Sequence, residues 1–144
     1  MINFYYTTSS HSSRMGRKWL LENHLDFKEI NLITSPPSRE ALLHIFRLTD
    51  KGPEDIISTR GLAFKALNVD LKKLTTDELI ELIQDHPQIL RRPIIVDDTH
   101  LQIGYNEDDI GQFIPRDKRQ AWLKQALESS NAEYEGLELT ISKR

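Results

Sequence analysis

The chain has 144 residues, a formal net charge of −3 at pH 7 and no cysteine. That length suits one domain with a core that needs no metal or disulfide, and the missing cysteine excludes disulfides and thiolate metal sites. The slightly acidic balance gives no global attraction to nucleic acid, and no apolar run approaches the ~20 residues needed to cross a bilayer. With no hydrophobic leader ahead of the first strand, the expected location is cytoplasmic, without a membrane partner.

The chain opens MINFYY, where Ile2, Phe4 and Tyr5 predict a short buried strand. Met15 to His24 reads as a helix, and Ser10-His11-Ser12-Ser13 lies between the two. Arg14, Arg17 and Lys18 crowd the first turns of that helix, where the macrodipole favours acidic residues. Either this is a solvated basic face, or something anionic belongs there. A catalytic serine would need an oriented base and an oxyanion hole, and neither is in view. The plainer reading is that Ser10, Ser12 or Ser13 caps the helix.

Leu25 to Leu32 reads as a second strand, centred on residues 27–31, and Pro36-Pro37 ends it. Ser38 is the expected N-cap of a helix reaching about Leu48, with Leu42, Leu43, Ile45 and Phe46 on its apolar face. Thr49 to Pro53 is a turn cluster. Glu54 to Asn68 suggests two short helical pieces around Thr59-Arg60-Gly61. Thr75 and Glu78 have capping-box spacing ahead of Leu79, Leu82 and Ile83, and that helix must stop before Pro87.

Ile94-Ile95-Val96 predicts a third strand over 93–97, and Asp97-Asp98 turns it into a fourth near 100–103. Asn106 is read as the cap of a short helix carrying Glu107, Asp108 and Asp109, and Pro115 as the start of a last helix with Trp122 and Leu127. Trp19 and Trp122 fit apolar helix faces. The histidines, His11, His24, His44, His86 and His100, show no ligand spacing, so no metal or other cofactor is expected. The resulting order is βαβ, a helical block over about 38–86, then ββα. This is an α/β, thioredoxin-like four-stranded mixed sheet with a helical insertion. Residues 1–128 should form one domain and 129–144 a mobile tail. In such a fold Arg92 stands before a cis proline, Pro93, facing the loop at Ser10, and a guanidinium there can grip an oxyanion. Ser10, Ser13, Arg92 and, more remotely, Arg60 are therefore the candidate anion-binding residues, with ordinary surface ion pairing as the alternative for the arginines.

The segments Ile56-Ile57-Ser58-Thr59-Arg60, ILRRPIIVD over 89–97 and LQIGYNED over 101–108 resemble the Spx family, thioredoxin-like relatives of arsenate reductase in Gram-positive bacteria. The resemblance spans about residues 1–128. It implies a non-enzymatic stress-response regulator that binds the C-terminal domain of the RNA polymerase α subunit and alters promoter choice. It places the polymerase-facing surface at Arg47 to Glu54, including Gly52, although Gly52 is equally well explained as a simple turn residue. Promoter DNA would be met only together with polymerase, and the free protein would be a monomer. Clp protease and its adaptor are further implied partners, but the chain ends Ile141-Ser142-Lys143-Arg144 rather than in the family's small apolar end. The family's C-x-x-C redox switch falls on Ser10 and Ser13, so a disulfide switch is impossible in this chain. The alternative reading is an arsenate-reductase-like or glutathione-dependent oxidoreductase whose cysteines have been replaced.

Overall fold

The structure, a computed structural model, describes residues 1–115 and Leu127. Its first compact unit, Met1–Gly111, contains the entire sheet, and a second unit begins at Gln112. The expected helix after Pro115, with Trp122, and the tail over 129–144 lie outside the described residues.

Four strands form one sheet in the order β2-β1-β3-β4. They are β1 (Ile2–Tyr6), β2 (Phe27–Asn31), β3 (Ile94–Val96) and β4 (Leu101–Ile103). β1 runs parallel to β2, with Phe4 opposite Glu29, and antiparallel to β3, with Phe4 opposite Ile95. The parallel pair needs a crossover, which α1 (His11–Glu22) supplies. β3 and β4 form a hairpin that pairs Ile95 with Gln102.

Strand alternation explains the three layers. Phe4 and Ile95 point to the α1 side, where both approach Gly16. Phe27 meets Phe4 there edge-on, with ring centroids 5.9 Å apart. Tyr5, Ile94 and Val96 point the other way, into a cluster with Leu42, Ile45, Leu79, Ile80 and Ile83. Those residues come from α2 (Arg39–Leu48) and α4 (Thr76–Asp85) of the insertion. Ile94, Ile95 and Val96 are all buried because both faces of β3 are covered.

The insertion follows its caps. Ser38 Oγ accepts from the Ala41 N–H to start α2. Thr75 and Glu78 complete a reciprocal capping box on α4, and the Thr75 backbone N–H, then its hydroxyl, hold the Glu78 carboxyl below its ordinary pKa. The two helical pieces expected between Glu54 and Asn68 are a 3-10 turn at Pro53–Ile56 and the short helix α3 (Leu62–Leu67).

Two helix starts differ from expectation. Helix α1 begins at His11 rather than Met15, because the Ser10 hydroxyl caps the Ser13 N–H and draws the serines into the first turn. Asn106 does not cap a helix. Its side chain accepts from the Asp108 N–H at 2.8 Å, closing a local turn, and helical structure begins only with the 3-10 segment Ile110–Phe113. Additional 3-10 turns at Leu71–Lys73 and Pro87–Ile89 are too short to leave a periodic signal.

Gly16 places α1 tightly against the sheet. A Cβ built there would lie 3.1 Å from Phe4 Cε1, 3.5 Å from Ile95 Cδ1 and 3.6 Å from Pro93 Cγ. Gly16→Ala should be nearly neutral, since a helix-propensity gain of up to ~1 kcal/mol opposes a slightly tight contact. Gly16→Leu should cost about 1–3 kcal/mol or more by overpacking. Urea unfolding of the three proteins distinguishes these outcomes.

Candidate functional site

The loop between β1 and α1 is a network built on serine hydroxyls. Ser10, in extended conformation, accepts at Oγ from the Ser13 N–H at 3.1 Å, and its own N–H reaches the Thr7 carbonyl at 3.4 Å. Ser13 is only 3% exposed, and its Oγ accepts from the Thr7 N–H at 3.4 Å. Thr7 is 5% exposed, and its hydroxyl has no partner among the described residues. Ser10 thus satisfies a backbone donor of the helix start, and Ser13 one just after β1.

The basic first turns are largely occupied. Arg17 pairs with Glu29 on β2, Lys18 lies 3.8 Å from Glu22, and Arg14 donates to the Thr8 carbonyl at 3.4 Å. Trp19 is half-buried, and the Asn23 side chain donates to its carbonyl at 2.9 Å.

The Arg92–Pro93 peptide is cis. Arg92 is half-buried, and its Nη2 donates to the carbonyls of Gln88 at 2.8 Å and Leu90 at 3.4 Å. Arg60 is exposed just before α3. Among the described residues, no hydrogen bond or ion pair joins Arg60 or Arg92 to Ser10 or Ser13. The Gly16 approach to Pro93 does bring the first turns of α1 beside the cis proline. Arg92 lines a different opening, an open cleft of about 590 Å³ that includes Ser58, Leu62, Arg91 and Gly104 but neither serine of the loop.

The surface after α2 forms a separate patch. Arg47 and Glu54 are exposed, and Gly52 has φ 106° and ψ −165°. This region of backbone space belongs almost entirely to glycine. The turn is pinned by the Asp55 N–H on the Gly52 carbonyl and the Lys51 N–H on the Asp55 carboxylate, both at 3.0 Å.

Contacts between distant residues were invisible in the sequence. His44 Nε2 hydrogen-bonds the Asp97 carbonyl at 2.8 Å, fastening α2 to the end of β3. The Asp97 carboxylate accepts from the N–H groups of Thr99 and His100 and contacts the His100 ring at 3.1 Å. The buried Thr7 hydroxyl and the cleft residues Ser58, Leu62 and Arg91 were also not singled out, since neither spacing nor residue type marks them. Among the described residues, no group of three His, Asp or Glu side chains is arranged to hold a metal. No described helix is long and apolar enough to cross a membrane.

The sheet order, the cis proline and the loop leading into α1 define a thioredoxin-like domain of the arsenate-reductase type. The ArsC family matches residues 5–113. Among solved structures, a possible arsenate reductase from Streptococcus mutans superposes with a TM-score of 0.64 at 25% identity, over 76% of this chain and 97% of that one. The arsenate reductase from Vibrio cholerae gives 0.63 at 20% identity, over 77% and 92%. The global transcriptional regulator Spx of Streptococcus agalactiae is 48% identical over 136 residues, 94% of this chain and 98% of the relative. The Streptococcus pyogenes regulator of that name is 46% identical over 94% of this chain and its own full length. The chain belongs to the ArsC family and, within it, to the Spx transcriptional regulators.

The serine network makes a quantitative expectation. Ser10→Ala should cost about 1 kcal/mol through loss of the cap. Ser13→Ala, which strips the buried Thr7 N–H of its acceptor, should cost about 1–3 kcal/mol. Denaturant midpoints at constant m-value measure both.

Proposed function

We propose that this protein regulates transcription without catalysis, by binding the C-terminal domain of the RNA polymerase α subunit through the surface from Arg47 to Glu54. The observation that carries this reading is the 46–48% identity, over nearly the whole length, to proteins named global transcriptional regulator Spx. The chain has no cysteine, and a serine hydroxyl is a poor substitute for a thiolate nucleophile. The reductase alternative therefore lacks its reacting group. The surface itself suits a partner. It is exposed and charged at both ends, and two hydrogen bonds pin its Gly52 turn. Promoter DNA is engaged only with polymerase, and the free protein is a cytoplasmic monomer.

Gly52 is a poor sole test of the interface. A side chain there meets open space, but the backbone conformation disfavours any residue with a Cβ. Gly52→Arg should lose on the order of 1–3 kcal/mol of stability as well as binding. Arg47→Glu and Glu54→Lys avoid that confusion. Each should weaken binding of the α C-terminal domain by about tenfold, ~1.4 kcal/mol, with little change in melting temperature. Calorimetric titration should give the same affinity for the parent chain in oxidising and reducing buffer. Unchanged affinity in both charge variants would move the interface elsewhere.

The loop at Ser10 and Ser13 is proposed as an anion site that Arg92 and Arg60 can complete. The first turn of α1 has no acidic residue, and the unpartnered Thr7 hydroxyl lies in the same loop. Arg92 would have to turn out of the cleft that it lines and exchange its carbonyl contacts for the anion, so this site and an anion in that cleft would compete for it. Sulfate titration should shift the amide resonances of Ser12 to Arg14, with a weaker response in Arg92→Ala. Unmoved amides at saturating sulfate would remove the site.

A further inference from the structure

The cleft of about 590 Å³ lies between the start of α3 and the segment that leads into the cis proline, with the end of β4 closing it. Its volume falls within the range occupied by ligand-binding clefts, roughly 300–1,000 Å³. Its two sides are tied by a short antiparallel bridge between Ile57 and Leu90. The Ser58 N–H donates to Ile89 and the Arg91 N–H to Ile56, both at 2.8 Å. The cleft is therefore preformed on rigid backbone.

Its chemistry is one-sided. Arg91 and Arg92 both line it, and among the described residues no acidic side chain does. Arg91 is exposed, and among the described residues it hydrogen-bonds through Nε alone, to the Ile57 carbonyl at 3.4 Å, which leaves its two Nη groups to meet a partner. Arg92 bonds there through Nη2 alone. Beside these cations Leu62 is 86% exposed, more than any other large apolar side chain among the described residues, and Ala63 and Ile103 continue the apolar wall. Gly104, at φ 79°, leaves open space where a side chain would stand, so a chain can approach the backbone there.

We propose that this cleft binds a short acidic peptide segment of a partner protein. A carboxylate would fork onto Arg91 and Arg92, and an adjacent apolar side chain would cover Leu62. Duplex DNA shares the anionic chemistry but presents mainly a charged phosphodiester backbone, whereas a peptide can set an apolar side chain on Leu62 beside its carboxylate. The site is separate from the Arg47–Glu54 surface and does not depend on it.

The test pans a random decapeptide display library on the full chain and on the Leu62→Ser/Arg91→Glu double variant. Both substituted positions are exposed, so the variant should fold, and its amide spectrum verifies that. Peptides pairing Asp or Glu with a large apolar residue should be enriched on the parent and bind the variant at least about tenfold more weakly. One such peptide, added to labelled protein, should shift the amides of Ser58, Leu62, Arg91 and Gly104 and leave Arg47 and Glu54 unmoved. Equal enrichment on both chains, or selected peptides without acidic residues, would overturn the proposal. So would a 20-base-pair DNA duplex that shifts the cleft amides when no selected peptide does.

Discussion

Helix α1 meets the sheet at Gly16, where there is room for little more than a methyl group. Gly16 sits against Phe4, Ile95 and Pro93, which belong to β1, β3 and the cis turn ahead of β3. One contact therefore sets the height of the helix above the sheet and the position of its first turn relative to the cis proline. The loop at Ser10, the buried Ser13 and the Arg92–Pro93 turn all inherit their places from it. The opposite face follows from strand alternation, because the residues flanking Phe4 and Ile95 must face away from α1 and are covered by α2 and α4.

A helix N-terminus stabilises negative charge, which is why it suits a thiolate. In this chain the same position holds neutral hydroxyls that act as acceptors. Ser10 takes up one orphan donor of the helix, and Ser13 reaches back to β1's last turn through the Thr7 N–H. Chemistry that needs a thiolate has no group to carry it in this chain, although the fold is of the arsenate-reductase type. Two further features lie on the outer surfaces. Those are the Gly52 turn after α2 and the basic cleft below α3.

Two polar ties hold the insertion to the sheet, one at each end of β3. At the entry, the Ile57–Leu90 bridge fastens the segment before α3 to the chain leading into Pro93. At the exit, His44 fastens α2 to the Asp97 carbonyl. A buried backbone carbonyl without a donor is costly, so each tie satisfies a polar group while restricting how the insertion can move. Both outer surfaces hang from these anchors, the Gly52 turn through α2 and the cleft through the bridge.

Most elements were legible in the sequence because local rules decided them. Ser38 and the Thr75–Glu78 box are caps whose partners lie within three residues, and Pro87 ends α4 by its own sterics. Ile94-Ile95-Val96 is a β-branched run that reads as a strand, and the fold covers both of its faces. The family segments around 56–60, 89–97 and 101–108 pointed to the Spx regulators for the same reason, since they are contiguous. The early start of α1 was missed because three serines in a row carry no periodic signal, and only the closure of Ser10 on Ser13 makes them helical. Arg92 was expected to face the serine loop, yet its guanidinium rests on the carbonyls of Gln88 and Leu90. Where a long side chain comes to rest depends on which acceptors the folded chain brings within reach. The His44–Asp97 tie, separated by 53 positions, and the cleft joining Leu62 to Arg91 depend likewise on tertiary structure. Residue types and spacings determined the elements and the family, while packing decided which side chains meet, because those contacts exist only after the sheet and its two covering layers have closed.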